Sequence, residues 1–358
     1  MTTIYLIRHC EADGNVYRRF QSRYNSNVTK RGEVQCELVA ERLRGEKIDA
    51  VYSSDIYRAR RTAAPLAREK GLPVILEPGL REIDSGEWED LPWGNVRGDY
   101  PETYARWQTQ PWRFAPAGGE TFDEVGARMH AALARLAAAH EGQTIAAFSH
   151  GAAIRCFLYP LLGLRHETLG RLAVVANTAV TKLTCAHGAF SVEYAFDASH
   201  LPGGTPEAVD ARWWCAEEGG VPYDVTIRSG AAALADACAA FPAFVPEADV
   251  QLSVGYYAGA PVGLTAVRTE NGRCALRALM VRCMPAQAEN VRGQMLGQAL
   301  AMAYGSGAQL LACTPGADSA LAAFLRGAGF DALADARGGE ILLKRLHAPA
   351  CRLSDIVR

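Results

Sequence analysis

Leu6-Ile7-Arg8-His9-Cys10-Glu11 closes a short apolar run near the start of the chain and sets a guanidinium beside an imidazole where a strand should end. Residues 3–7 read as a buried parallel strand, and open α/β sheets bind ligands outside the carboxyl ends of such strands. Two further segments repeat the arrangement. Residues 49–53 form a short strand pattern whose polar end, Ser54 or Asp55, can cap a helix starting just before Arg58. Residues 144–148 form another, and Ser149-His150-Gly151 lead directly into a helical pattern over 152–162. Arg8, His9, Arg58 and His150 are thereby delivered to one edge of one sheet, a phosphate-handling arrangement.

Five blocks in order resemble the histidine phosphatase superfamily, the phosphoglycerate mutase-like fold, over the first two hundred residues. Arg8-His9-Cys10-Glu11 with Asn15 is similar to that family's Arg-His-Gly-Glu-Thr…Asn signature, and residues 53–59 to its second-arginine segment. Leu80-Arg81-Glu82 opens the segment that carries the family's acid, while Gly118-Gly119-Glu120-Thr121-Phe122 and Phe148-Ser149-His150-Gly151 match the later blocks. Several such motifs in the right structural contexts rarely coincide by accident. Three departures stand out. Cys10 replaces a Gly, so that either a tighter pocket rim or a slightly different seat for the phosphate is expected, Ala12 replaces a Thr, and Pro65 is expected to kink the helix that carries Arg58.

The resemblance implies roles that suit the residue types. A phosphomonoester dianion repels anionic nucleophiles, so His9 would attack phosphorus as a neutral imidazole among fixed positive charges. Arg8 and Arg58 offer planar donor forks that match phosphate oxygens, Asn15 adds an amide donor, and a protonated His150 would supply a third cation. Glu82 is the implied general acid for the leaving alkoxide, with Asp84 and Glu87 as nearby rivals. No metal or cofactor is implied for this half. The interval from Glu82 to His150 is short for the mutases of the superfamily, which favours hydrolysis of a small phosphorylated metabolite over phosphoglycerate mutase-type transfer.

The elements that must position these groups follow a βαβ pattern. Thr29 can cap a helix ending near Gly45, strands at Val51 and 74–76 follow, and Thr121-Phe122-Asp123-Glu124 is a capping box opening a long helix with Val125, Met129, Leu133 and Leu136 on its core face. Between Glu82 and that helix lies an insert rich in Trp and Arg (Trp88, Trp93, Arg97, Tyr100, Trp107, Trp112, Arg113), expected to cap the crevice.

At 358 residues and 49% hydrophobic composition the chain can bury more than one core. Its net charge of −2 gives no basic footprint for nucleic acid, and its apolar runs are too short for a membrane span. Its ten cysteines lack CxxC spacing, and the first apolar run is too brief for a secretory leader, so a reducing cytoplasm is the expected setting.

The reading is therefore of a phosphatase domain over 1–200, a Pro/Gly-rich linker over 201–211 that few contacts should cross, a second domain over 212–348 and a tail over 349–358. Helices over 230–240, 288–304 and 319–326 and strands over 250–257, 261–268, 273–281, 309–313 and 340–344 are expected in the second domain. Their order resembles the GNAT acyltransferase fold, an α+β domain following the three-layer αβα first domain. Arg292-Gly293-Gln294-Met295-Leu296-Gly297 is similar to that family's pyrophosphate loop. This implies acetyl-CoA as ligand, with Arg292, Gly293, Gln294, Leu296 and Gly297 around it at a helix start. Residues 322–330 resemble its second CoA-side segment. Met295 replaces the middle Gly and Leu325 a common Tyr acid, which leaves two alternatives: a bifunctional enzyme, or a phosphatase carrying a non-catalytic, metabolite-sensing module.

Overall fold

The computed structural model describes residues 1–164, 175–203, 223–334 and 339–346. Strand β1 (Thr2–Arg8) decides the first architecture, because both of its faces are apolar. Ile4 and Leu6 pack with α6 (Phe122–Ala139) and α7 (Gly151–Leu161), while Tyr5 and Ile7 pack with α2 (Lys30–Arg42) and α3 (Tyr57–Lys70). A strand buried on both faces requires helices above and below it, which gives three layers. β1 lies parallel to β4 (Thr144–Ser149), which pairs in turn with β2 (Ala50–Ser53) and β3 (Val74–Leu76). On its other side run the antiparallel strands β5 (Val180–Ala186) and β6 (Ala189–Asp197), so the sheet order is β3-β2-β4-β1-β5-β6. Two short helices, α4 (Trp93–Asp99) and α5 (Pro101–Thr109), form the insert, and α1 (Asp13–Val16) follows β1.

Both expected caps at Thr29 and Thr121 are made: Gly32 N–H donates to Thr29 Oγ1 at 2.9 Å, and Thr121 and Glu124 form the reciprocal capping box. The start of α3 differs. Asp55 pairs with Arg81 instead, and Asn25, distant in sequence, accepts from the Tyr57 N–H at 2.9 Å. Pro65 does not end α3, which runs on to Lys70.

The second unit is a seven-stranded sheet in the order β12-β13-β11-β10-β9-β8-β7. Its elements are β7 (Thr226–Ser229), α8 (Ala231–Ala240), β8 (Val250–Tyr257), β9 (Ala260–Glu270), β10 (Arg273–Val281), α9 (Pro285–Gly305), β11 (Leu310–Cys313), α10 (Ser319–Gly327), β12 (Asp331–Ala334) and β13 (Glu340–Arg345). Its pairs are antiparallel except β10 with β11. Helix α8 covers one face through Ala233 and Ala237, and α9 with α10 covers the other through Val291, Met295, Leu296 and Leu325. Strands β7 and β12 were not expected; each has four residues, too few to show alternation. Among the described residues no helix is long and apolar enough to cross a membrane.

The expected linker falls outside the described residues beyond Gly203, as does the C-terminal tail. The expectation that few contacts cross between the two units is overturned. Helix α4 packs on β7 and α1 on α9, and the Tyr17 ring is buried in the core of the second unit.

The pyrophosphate-loop reading needs correction as well. α9 begins at Pro285, so residues 292–297 lie in its interior, where N–H groups donate to carbonyls one turn back and none is left for a ligand. Gly293, Gln294, Leu296 and Gly297 are buried, and the Arg292 guanidinium lies 5.4 Å from the centre of the Phe324 ring. Leu325, where an acid was sought, is fully buried in the core.

Candidate active site

Parallel strands β1, β4 and β2 end side by side, and their ends carry the candidate groups. His9 follows β1, His150 follows β4, and Ser54 follows β2 just ahead of α3 and Arg58. The two imidazole rings lie 5.1 Å apart. His9 Nδ1 lies 2.6 Å from the Cys10 carbonyl oxygen, which can only accept, so Nδ1 carries the proton and Nε2 keeps its lone pair. Burial first, then the Arg58 and Arg8 guanidiniums, hold the His9 pKa well below 6.5, in the neutral form a nucleophile needs.

Around His9 three buried polar atoms have no partner among the described residues: Arg8 Nε, Arg58 Nε and His150 Nδ1. Other donors of the two guanidiniums are used. Arg8 Nη1 donates to the Val175 carbonyl, and the Arg58 Nη groups donate to the Gln21, Ser22 and Tyr24 carbonyls at 3.0, 3.1 and 3.1 Å. The Arg58 fork is thus clamped in place with its Nε in reserve, and Arg8 is held through Nη1 with its Nε likewise unmet. Unmet buried polar atoms are costly, and an anion with several acceptor oxygens would relieve them. Burial also lowers Arg58 to about 10, with Glu82 opposing the shift. His150 departs from expectation. Burial and then Arg58 and His9 push it well below 6.5, so its third positive charge is not present before an anion enters; its Nε2 shares a hydrogen bond of 2.8 Å with Ser54 Oγ.

Glu82 sits across the start of α7. Its Oε1 accepts from Ile83 N–H at 2.9 Å and Ala153 N–H at 2.8 Å, and its Oε2 from Ala152 N–H at 3.2 Å, as suits a carboxyl group at a helix N-terminus. Of its rivals, Asp84 pairs with Arg23 and caps Gly86 N–H, and Glu87 is exposed. A cavity of about 280 Å³ opens over these groups, lined by Arg8, His9, Asn15, Glu82 and the aromatic rings of Trp93, Trp107 and Phe114. Arg58 and His150 are buried and are not themselves among the lining residues, although the His150 ring lies beside the lining His9. The insert therefore does reach the crevice, although Trp88 is wholly in the core. Gly151 allows the close approach of Arg8, since a Cβ there would stand 3.2 Å from Arg8 Nε. Cys10 does not narrow the rim: it is fully buried, its N–H donates to Thr62 Oγ1 at 2.9 Å, and its thiol is turned toward α3.

Sequence reasoning passed over Arg155, which lines the same cavity from α7 and is lowered to about 9 by burial. An arginine within Ala152-Ala153-Ile154-Arg155-Cys156-Phe157, an otherwise apolar helix face, was the available signal. Glu89 was passed over too. Its carboxylate accepts from the N–H groups of Ser22, Arg23 and Tyr24 at 2.9, 3.0 and 3.1 Å and anchors the loop that holds Arg58. Among the described residues no group of three or more His, Cys, Asp or Glu is placed to hold a metal ion.

A neutral imidazole set among clamped guanidiniums, at the carboxyl edge of a three-layer α/β sheet, defines a phosphoryl-transfer protein. The chain belongs to the histidine phosphatase superfamily (branch 1), whose profile matches residues 4–198. It is 33% identical over 210 residues to a probable phosphoglycerate mutase GpmB of Photorhabdus laumondii, covering 56% of this chain and 95% of that protein. It is 34% identical over 164 residues to phosphoserine phosphatase 1 of Hydrogenobacter thermophilus, covering 46% and 78%. Among solved structures, YhfR of Bacillus stearothermophilus superposes with a TM-score of 0.54 at 30% identity, covering 56% of this chain and 99% of that one.

Proposed function

We propose that the first domain hydrolyses small phosphomonoesters through a phosphohistidine on His9. The observation that carries this reading is the set of unpartnered buried atoms, Arg8 Nε, Arg58 Nε and His150 Nδ1, around an imidazole whose Nε2 lone pair is free by tautomer. The phosphoryl group takes those donors, and His9 Nε2 attacks phosphorus. The P–O ester bond breaks as Glu82 gives its proton to the leaving alkoxide. Glu82, now a carboxylate, accepts a proton from water, whose oxygen displaces Nε2 from phosphorus and releases inorganic phosphate. The positive charge that offsets the phosphate comes from Arg8 and Arg58, so the reaction proceeds without added metal or cofactor.

For the second domain we propose a GNAT-like fold without acyltransferase catalysis. The order of its helices and strands supports the fold. The burial of Leu325 and of residues 293–297 supports the absence of catalysis, and it leaves acetyl-CoA a ligand implied by resemblance alone.

The test is a rapid quench in alkali after mixing with 32P-labelled phosphoserine, in which phosphohistidine survives. Wild type should carry label and release phosphate, and His9→Ala should do neither. Undiminished turnover by His9→Ala would overturn the mechanism. Interconversion of phosphoglycerates without net phosphate release would shift the reading to mutase-type transfer.

A further inference from the structure

The loop from Asp13 to Asn27 contributes more than a third of the residues that line the cavity, among them Asn15, Arg19 and Gln21. Its carbonyls at Gln21, Ser22 and Tyr24 fix the Arg58 guanidinium. Through these contacts the loop belongs to the phosphate site. The same loop is held by the second domain. Asp13 Oδ1 meets Lys344 Nζ at 3.0 Å with both side chains 6% exposed, and Lys344 also donates to the Ala328 carbonyl at 2.8 Å. Arg18 forms a bidentate pair with Asp224 at 2.8 and 3.0 Å. Arg19 Nη1 donates to Gln298 Oε1 at 3.0 Å while its Nε pairs with Asp90 at 2.6 Å. Asn27 Nδ2 donates to the Arg345 carbonyl at 3.1 Å, and the Tyr24 and Tyr304 rings meet edge to face at 5.4 Å. Tyr17 enters the second core, in the cluster that includes Val291 and Met295, and Gly297 makes room for it: a Cβ there would stand 2.6 Å from Tyr17 Cβ.

We propose that the second domain is a positioning part of the phosphatase site: Asp224, Gln298 and Lys344 hold the 13–27 loop in the register that completes the substrate wall and fixes Arg58. These residues touch no reacting atom. They act through Arg18, Arg19 and Asp13, and Arg18 and Arg19 themselves also line the cavity. A loop released from α9 and β13 withdraws the Gln21, Ser22 and Tyr24 carbonyls, and the Arg58 fork loses its aim. Binding of phosphate therefore weakens before the chemistry at His9 does, because His9, Glu82 and His150 are set by the sheet and by α7.

The inference rests on the cavity being a phosphate site, so its test reads binding separately from turnover. Full-length wild type, Asp224→Asn, Gln298→Ala, Lys344→Met and Lys344→Arg are titrated with inorganic phosphate, followed by the fluorescence of Trp93 and Trp107 in the cavity wall. The same proteins are assayed with p-nitrophenyl phosphate and checked for folding by thermal melts. Tyr256→Phe, on the α8 side of the second sheet, is the control. Asp224→Asn and Gln298→Ala should stay folded and raise both phosphate Kd and KM by roughly tenfold, with kcat within about threefold of wild type. Lys344→Met should weaken binding further, and Lys344→Arg, which keeps the buried charge paired with Asp13, should recover it. Lys344→Met is the variant most exposed to unfolding, and the two milder variants carry the test if it does unfold. Folded variants that bind phosphate and turn over like wild type would overturn the proposal. Wild type that binds phosphate without hydrolysing any ester would refute the hydrolase reading while the positioning role stays measurable through Kd. Wild type that neither binds nor hydrolyses would overturn both.

Discussion

Lowering the pH should destabilise this protein through two imidazoles in particular. His9 and His150 are both held well below 6.5, burial being the largest cause for each and Arg58 the next. In the unfolded chain each takes up a proton as the pH falls through about 6.5, whereas the native site refuses it. The unfolded state then binds more protons, so the stability these residues confer is complete above that value and is lost as the pH drops below it. Each pH unit below costs about 1.4 kcal/mol per group. Going from pH 7.5 to 5.5 therefore removes roughly 3 kcal/mol through the pair, a large part of the ~5–15 kcal/mol that holds an ordinary domain folded. Urea unfolding of wild type, His9→Gln and His150→Gln at pH 7.5, 6.5 and 5.5 isolates the effect, because carboxylates common to all three cancel in the differences. Each variant should show about 1.4 kcal/mol less dependence on pH between 7.5 and 5.5 than wild type. A variant whose stability falls with pH as steeply as wild type would show that its imidazole takes up a proton as readily in the native state as in the unfolded chain, and the lowered pKa argued for that residue would go.

Two further outcomes bear on the roles assigned above. Glu82→Gln should slow release from alkyl phosphates by about a hundredfold or more, and from aryl phosphates, whose phenolate leaves unaided, by less than about tenfold. Equal losses on both would move the acid role to Asp84, Glu87 or water. The full-length protein given acetyl-CoA and a panel of amines should release thiol at the rate of the enzyme-free blank, since Leu325 is a core residue and residues 292–297 are interior to α9. Turnover on any amine would establish an acid elsewhere in the second domain.

What could be read from the sequence was whatever local chemistry dictates. The ends of β1 and β4 were legible because a short apolar strand followed by Arg-His or Ser-His-Gly leaves little choice about where the polar groups fall, and the Thr121 capping box placed α6 to the residue. What stayed hidden depends on distant partners. Nothing near Tyr57 announces that Asn25 caps it, and nothing near Cys10 announces that its thiol turns toward α3. The same holds for Glu89, whose task of gathering three loop N–H groups exists only once the chain has folded back on itself.

The glycines of α9 show how one local pattern serves two physical ends. Small residues with bare backbone suit a phosphate loop, but at a spacing of four on a helix they also mark a face on which another element can lie close. The start of the helix decides between the two. Pro285 is suited to the first helical position, where its missing N–H costs nothing, and a helix begun there has used the amides of Gly293 and Gly297 before any ligand could reach them. The bare faces of those residues are then left for Tyr17: a Cβ at Gly293 would stand 3.6 Å from its ring, and one at Gly297 closer still. A side chain at position 297 would push α9 off the loop that aims Arg58, so the sequence feature first read as the ligand site of one domain is a fitting that the site of the other depends on.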